Sequence, residues 1–183
     1  MKDEVEAFHE RSMCLNPTIP VDALVDSQKF HLTVCMLRLE READIKVAID
    51  ALQGIEAVVK SKLQLILQGT GVMKGTTADC RVLYAKVKSN SQLADLGRFI
   101  QSHLATKGLL HDFRPVNWHA TLINTRHCVE PDVSFDATAI IDAHKSTEFG
   151  RPIVKELHLS SLSKPPNEGT GYYYCEHLWK LKK

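Results

Sequence analysis

Histidine and threonine alternate at two places in this chain, His31-Leu32-Thr33-Val34 and His119-Ala120-Thr121-Leu122, 88 positions apart (119 less 31). Successive side chains on a β-strand point to opposite faces, so each tetrad would present an imidazole and a hydroxyl together while its apolar residues face the other way. An imidazole titrates near neutral pH and serves as general acid or base. A fixed hydroxyl donates to a phosphoryl oxygen. Two such pairs around one point meet the needs of metal-free phosphodiester cleavage: one imidazole takes the proton of the attacking oxygen, the other protonates the leaving oxygen, and the hydroxyls stabilise the charge that builds between them.

The segments around the tetrads form a repeating string. Lys2 to Leu15 carries Val5, Phe8, Ser12 and Leu15 on one side and is stopped by Asn16-Pro17, so it reads as a helix. Phe30 to Leu39 is short, apolar and β-branched, which predicts a strand. Ile45, Ala48, Ile49, Leu52, Ile55 and Val59 keep helical spacing behind acidic Glu40, Glu42 and Asp44. Strands are expected at Leu63 to Gln68 and at Cys80 to Lys88, joined by a loop holding Gly69, Gly71 and Gly75. Ser89-Asn90-Ser91 supplies caps for a helix bearing Leu93, Leu96, Ile100 and Leu104, closed by Lys107-Gly108. Pro115 to Thr125 reads as a strand, the segment from Phe135 as a short helix, and Pro152 to Leu162 and Gly171 to Leu181 as two strands. Helix, strand, helix, strand, strand therefore occurs twice, with a His-x-Thr tetrad in the first strand of each copy. The chain reads as a single domain, 1–183, of two lobe-forming repeats at about 1–88 and 80–183.

Composition narrows the function classes. With 183 residues, 44% hydrophobic and 25% charged, the chain is an ordinary globular domain. A formal net charge of +1 excludes bulk electrostatic capture of nucleic acid or membrane, so any phosphate is held locally. No apolar run approaches a membrane span and Met1-Lys2-Asp3-Glu4 opens no signal peptide, which predicts a cytoplasmic or nuclear location. Cys14, Cys35, Cys80, Cys128 and Cys175 lack C-x-x-C spacing and read as reduced, mostly buried thiols. His127-Cys128 would point to opposite faces of a strand, and Cys175 with His177 supplies two ligands where a closed zinc site needs four. Neither a metal nor a cofactor is expected.

In combination, the two tetrads, FHLTVCMLRL, AIDAL, VLYAKV, HATLINT, FG followed by LHLSSL, and GYYYCE resemble the two-histidine (2H), LigT-like phosphoesterase superfamily. The resemblance is nearest to its eukaryotic branch with an A-kinase anchoring protein central domain, an activating signal cointegrator complex subunit and a leukocyte receptor cluster protein. It implies an α/β fold of the α+β type, bilobal, with antiparallel sheets lining a central cleft. It further implies His31 and His119 as the general acid/base pair and Thr33 and Thr121 as phosphate-binding hydroxyls. Members act on 2',3'-cyclic phosphates, 2',5'-linked oligoadenylate or RNA ends, and some are known chiefly as nucleotide binders. An RNA, oligonucleotide or nucleotide substrate is the implied partner. A non-catalytic binding module, or an interaction domain of a larger protein, is the competing reading.

Other residues are weighed beside these. Tyr172, Tyr173, Tyr174 and Trp179 could stack a base; alternation separates Tyr173 from the other two tyrosines, which makes Tyr172 the candidate at the ligand and at least one of the three a core residue. Phe30 and Trp118 precede the histidines and face away into the core. Arg38, Arg151 and Lys155 are charged neighbours that read as solvated. Family members begin with a strand ahead of the first helix, whereas here Met1 runs almost directly into that helix. A sheet edge beside the first tetrad is therefore expected to be open to self-association or to a partner strand.

Overall fold

A computed structural model describes residues 2–130 and 133–181; Met1, which the sequence reading places directly before the first helix, lies outside them. The elements are α1 (Lys2–Leu15), α2 (Glu42–Ala51), β1 (Leu67–Gly75), β2 (Cys80–Val87), α3 (Ser91–Ala105), β3 (His119–Asn124), α4 (Thr138–His144), β4 (Glu148–Gly150), β5 (Glu156–Ser161) and β6 (Tyr174–Lys180). The chain forms two compact units, each drawn from three stretches. One takes Met1–Leu32, Ile66–Lys88 and His119–Pro152, the other Thr33–Leu65, Ser89–Trp118 and Ile153–Lys183. Among the described residues no helix is long and apolar enough to cross a membrane.

In the first unit four antiparallel strands run in the order β3-β2-β1-β4. Period-2 alternation divides the central strand: Leu83 and Ala85 are buried, while Tyr84 is partly buried and Lys86 exposed. On β3, Ala120 and Leu122 join the buried set beside Val5 and Phe8 of α1, Ile140 of α4 and Phe149 of β4. Helical spacing puts Val5, Phe8 and Ser12 on the inner side of α1.

The glycines at 69, 71 and 75 lie inside β1 and not in a loop, which corrects the sequence expectation. Gly69 adopts φ 74°, its N–H donates to the Thr147 carbonyl at 2.9 Å, and a Cβ there would stand 2.6 Å from the Lys145 carbonyl oxygen. It sits where the β1–β2 register shifts, so a strand bulge and a close backbone approach require glycine in a residue run that looks like a turn.

The second unit packs α2 and α3 with a two-stranded ladder, β5-β6, and among the described residues the sheets of the two units are unequal, four strands against two. Asn90 caps α3 by accepting from the Leu93 N–H at 3.1 Å, and Leu93, Leu96, Ile100 and Leu104 are buried as their spacing requires. The Asp44 carboxylate accepts from the backbone N–H groups of Glu40 and Arg41 at the start of α2. That helix stops at Ala51, short of the expected Val59, and a 3-10 turn at Ile55–Ala57 carries on the buried positions Ile55 and Val59. Phe30 to Leu39 joins no ladder; its one bridge is Leu37 with Leu110. Its composition marks apolar packing, and an extended segment packs Phe30 and Leu32, both partly buried, against the core without strand neighbours. All five cysteines are free, but only Cys80 is fully buried and Cys14 and Cys175 are exposed, against the expectation of mostly buried thiols.

Two histidines in the first unit tie folding to pH. His9 donates from Nε2 to the Leu122 carbonyl at 2.9 Å, and His144, buried with its ring 4.8 Å from that of Phe8, meets the Thr147 hydroxyl at 3.1 Å. Burial lowers the pKa of both, with Arg11 adding to the effect on His144. The unfolded chain takes up protons at the ordinary 6.5 while the folded chain resists them, so stability is full above neutral pH and falls as pH drops through about 6.5. Urea midpoints should be level above neutrality and decline towards pH 5, with a slope of at most about two protons. His9→Gln should flatten that decline; a midpoint constant across this window in the parent chain contradicts the assignment.

Candidate active site

His119 and Thr121 open β3 on the face opposite Ala120 and Leu122, as the alternation predicts. Lys86 is the register partner of His119 and Tyr84 that of Thr121, so β2 sets a cation and an aromatic ring on the same face. The Tyr84 and His119 rings meet in a T-shaped contact, centroids 5.5 Å apart at 70°. Sequence reading gave Tyr84 and Lys86, within the expected Cys80 to Lys88 strand, no part in the site. Their neighbourhood with His119 is a matter of cross-strand register, which local sequence does not carry.

His31 belongs to the same compact unit as His119 and Thr121, while Thr33 begins a stretch of the other unit. Neither His31 nor Thr33 lies on a ladder strand, a correction to the expected Phe30 to Leu39 strand. A 3-10 turn, Ser27–Lys29, with the Asp26 carboxylate accepting from the Gln28 N–H at 2.8 Å, delivers the chain to Phe30 in extended conformation. Phe30 and Leu32 both pack on the buried cluster of the first unit, so the intervening His31 is directed away from it. His31 Nδ1 donates to the Lys29 carbonyl at 2.6 Å. A carbonyl oxygen only accepts, so the proton of the neutral ring is on Nδ1 and the lone pair is on Nε2.

Tyr172 precedes β6 in the second unit and is partly buried, its ring 5.7 Å from that of His158 and 5.5 Å from that of Tyr173. Burial, with the neighbouring Tyr173 and Cys175, raises its pKa. None of the three tyrosines is fully buried, contrary to the expected core residue, because the ladder starts only at Tyr174 and that residue is exposed with the Lys164 ammonium 4.8 Å from its ring centroid. Trp118 packs on Gly97 of α3. Arg151 is held by the Glu148 carboxylate through two hydrogen bonds of 2.8 and 2.9 Å, and Arg38 donates to His111 Nδ1 at 3.4 Å. Desolvation pushes the Cys35 and Cys80 thiols up to about 11, which removes them as nucleophiles at neutral pH. Among the described residues no group of three or more His, Cys, Asp or Glu gathers to hold a metal ion.

Comparison with known proteins gives the family and the fold. Residues 1–181 match the family described as the AKAP7 2'5' RNA ligase-like domain. Human A-kinase anchor protein 7 isoform gamma is 24% identical over 173 residues, a match covering 84% of this chain and 46% of that protein, so the chain spans about half the length of the relative. TT0787 of Thermus thermophilus has the same fold at TM-score 0.62 and 18% identity, with 99% of this chain and 93% of that one covered. LigT of E. coli complexed with 3'-AMP superposes at TM-score 0.60 and 19% identity, over 97% and 92% of the two chains. LigT complexed with NADP+ gives 0.59 and 17%, over 99% and 92%. With its two His-x-Thr tetrads and its α+β fold, the chain belongs to the AKAP7 2'5' RNA ligase-like domain family, within the 2H, LigT-like phosphoesterases.

Proposed function

We propose that this chain is a metal-independent phosphodiesterase acting on RNA ends, 2',3'-cyclic phosphates or 2',5'-linked oligonucleotides, with His31 and His119 as the proton-transfer pair. The observation that carries the reading is the tautomer set at His31: with Nδ1–H bound to the Lys29 carbonyl, the neutral form of the ring has its lone pair on Nε2, the atom a general base would use. His31 Nε2 takes the proton of the attacking water or hydroxyl as the new O–P bond forms. His119 gives a proton to the ribose oxygen as the old P–O bond breaks, and the hydroxyls of Thr33 and Thr121 donate to the non-bridging oxygens. Tyr172 is the aromatic residue assigned to the base. The resting protonation states return when a proton moves from His31 to His119 through solvent.

A second reading has its own support, since the LigT structures hold 3'-AMP and NADP+. A nucleotide-binding module without turnover would use the same residues for recognition. A panel of 2',3'-cyclic nucleotides and 2',5'- and 3',5'-linked dinucleotides, assayed in EDTA, separates the two. Turnover of a cyclic or 2',5'-linked substrate is expected. Saturable binding of 3'-AMP with no turnover of any member would transfer the assignment to the binding module, and a requirement for added Mg²⁺ or Zn²⁺ would overturn the mechanism.

A further inference from the structure

The Tyr84 side chain lies over Gly71 of β1. The two residues are register partners on adjacent strands, and a Cβ at position 71 would stand 2.9 Å from both Cζ and Oη of Tyr84 and 3.0 Å from Cε of Lys86. Any side chain at 71 would displace the ring, because real Cβ contacts are not that short. Tyr84 therefore lies across the bare backbone of β1 with Lys86 beside it, and the same ring makes the T-shaped contact with His119 on β3. An imidazole on the open face of a sheet has several side-chain rotamers available, and a rigid ring packed against it removes those that would swing it aside.

The geometry points to Tyr84 as a positioning residue for His119, seated by the absence of a side chain at Gly71. This rests on the reading of His119 as a proton-transfer group, and it adds a requirement that neither tetrad expresses. The aromatic ring is the working part. Phenylalanine should replace tyrosine, whereas an aliphatic residue of similar bulk should not.

The test compares the parent chain with Tyr84→Phe, Tyr84→Leu and Gly71→Ala, each first checked for folding by its urea midpoint. Two readouts are followed: the ring-current displacement of the His119 imidazole proton resonances, and kcat and KM on the best substrate of the EDTA panel. Tyr84→Phe should keep both near parent values. Tyr84→Leu should abolish the ring-current displacement and lower kcat about tenfold with KM changed by less than about threefold, the pattern of a misaligned proton donor and not of lost binding. Gly71→Ala should move both readouts in the same direction, although it alters no atom of Tyr84 or His119. His119 resonances and kcat unaffected by Tyr84→Leu would overturn the proposal, as would equal losses in Tyr84→Phe and Tyr84→Leu. A parent chain that turns over nothing refutes the phosphodiesterase reading alone. The resonance comparison then still decides whether Tyr84 holds His119.

Discussion

Replacing either His31 or His119 by Ala is expected to lower kcat about 10²-fold or more, the usual scale for a positioned general acid or base. Each ring does a different job in the same step, so the double replacement should cost little more than the worse single one. Thr33→Val or Thr121→Val removes one hydrogen bond to a charged oxygen and should cost on the order of tenfold. The two effects differ because losing a proton-transfer group closes a route, whereas losing one donor weakens a field shared with other donors. A bell-shaped pH–rate profile should accompany the parent activity, since one imidazole must be neutral while the other is protonated. The two alanine variants should each flatten one limb. Steady-state assays in EDTA read all of this, and activity that stays within about tenfold of the parent with both imidazoles removed would falsify the two-histidine mechanism.

The placement of His119 and Thr121 was legible in the sequence because period-2 alternation is local. His119 and Thr121 share a face of β3 for the same reason that Ala120 and Leu122 share the core, and four residues suffice to show it. The caps of α3 were equally local: Asn90 needs only the N–H three residues ahead. What failed was whatever depends on a second stretch of chain. FHLTVCMLRL has the composition of a strand, yet ladder formation needs a neighbour, and packing of the partly buried Phe30 and Leu32 on the first unit's core needs none. Gly69 and Gly71 look like loop residues until Lys145 and Tyr84 are seen pressing on them from other elements. The short β4, paired with β1 through Leu67 and Gln68, left no run long enough to be read as a strand. Tyr84 belongs to this class as well, since only the pairing of β2 with β3 brings it to His119.

The largest effect on stability is expected at Phe149, in the strand that sequence reading missed. Its side chain is fully buried, and its ring meets that of Phe8 at 5.5 Å and 71°, while Phe8 also meets the His144 ring at 4.8 Å. One side chain thus joins the edge of the sheet to α1 and, through Phe8, to α4. Phe149→Ala should destabilise the chain by about 3–5 kcal/mol, the range for deleting a buried phenyl ring where the surroundings cannot close over the cavity. Phe149→Leu keeps most of the apolar volume and should recover a large part of that loss, leaving a deficit of about 0.5–1.5 kcal/mol for the lost ring pair. Urea midpoints at unchanged slope measure both. Phe149 shares its cluster with Ala120 and Leu122, on the side of β3 opposite His119, so the folded fraction of the alanine variant should keep kcat within about threefold of the parent at low temperature. A loss below about 1 kcal/mol would mean that α1 and β4 are not held together through this ring. A collapse of kcat in protein that remains folded would mean that the core side of the sheet sets the position of His119 more strongly than Tyr84 does.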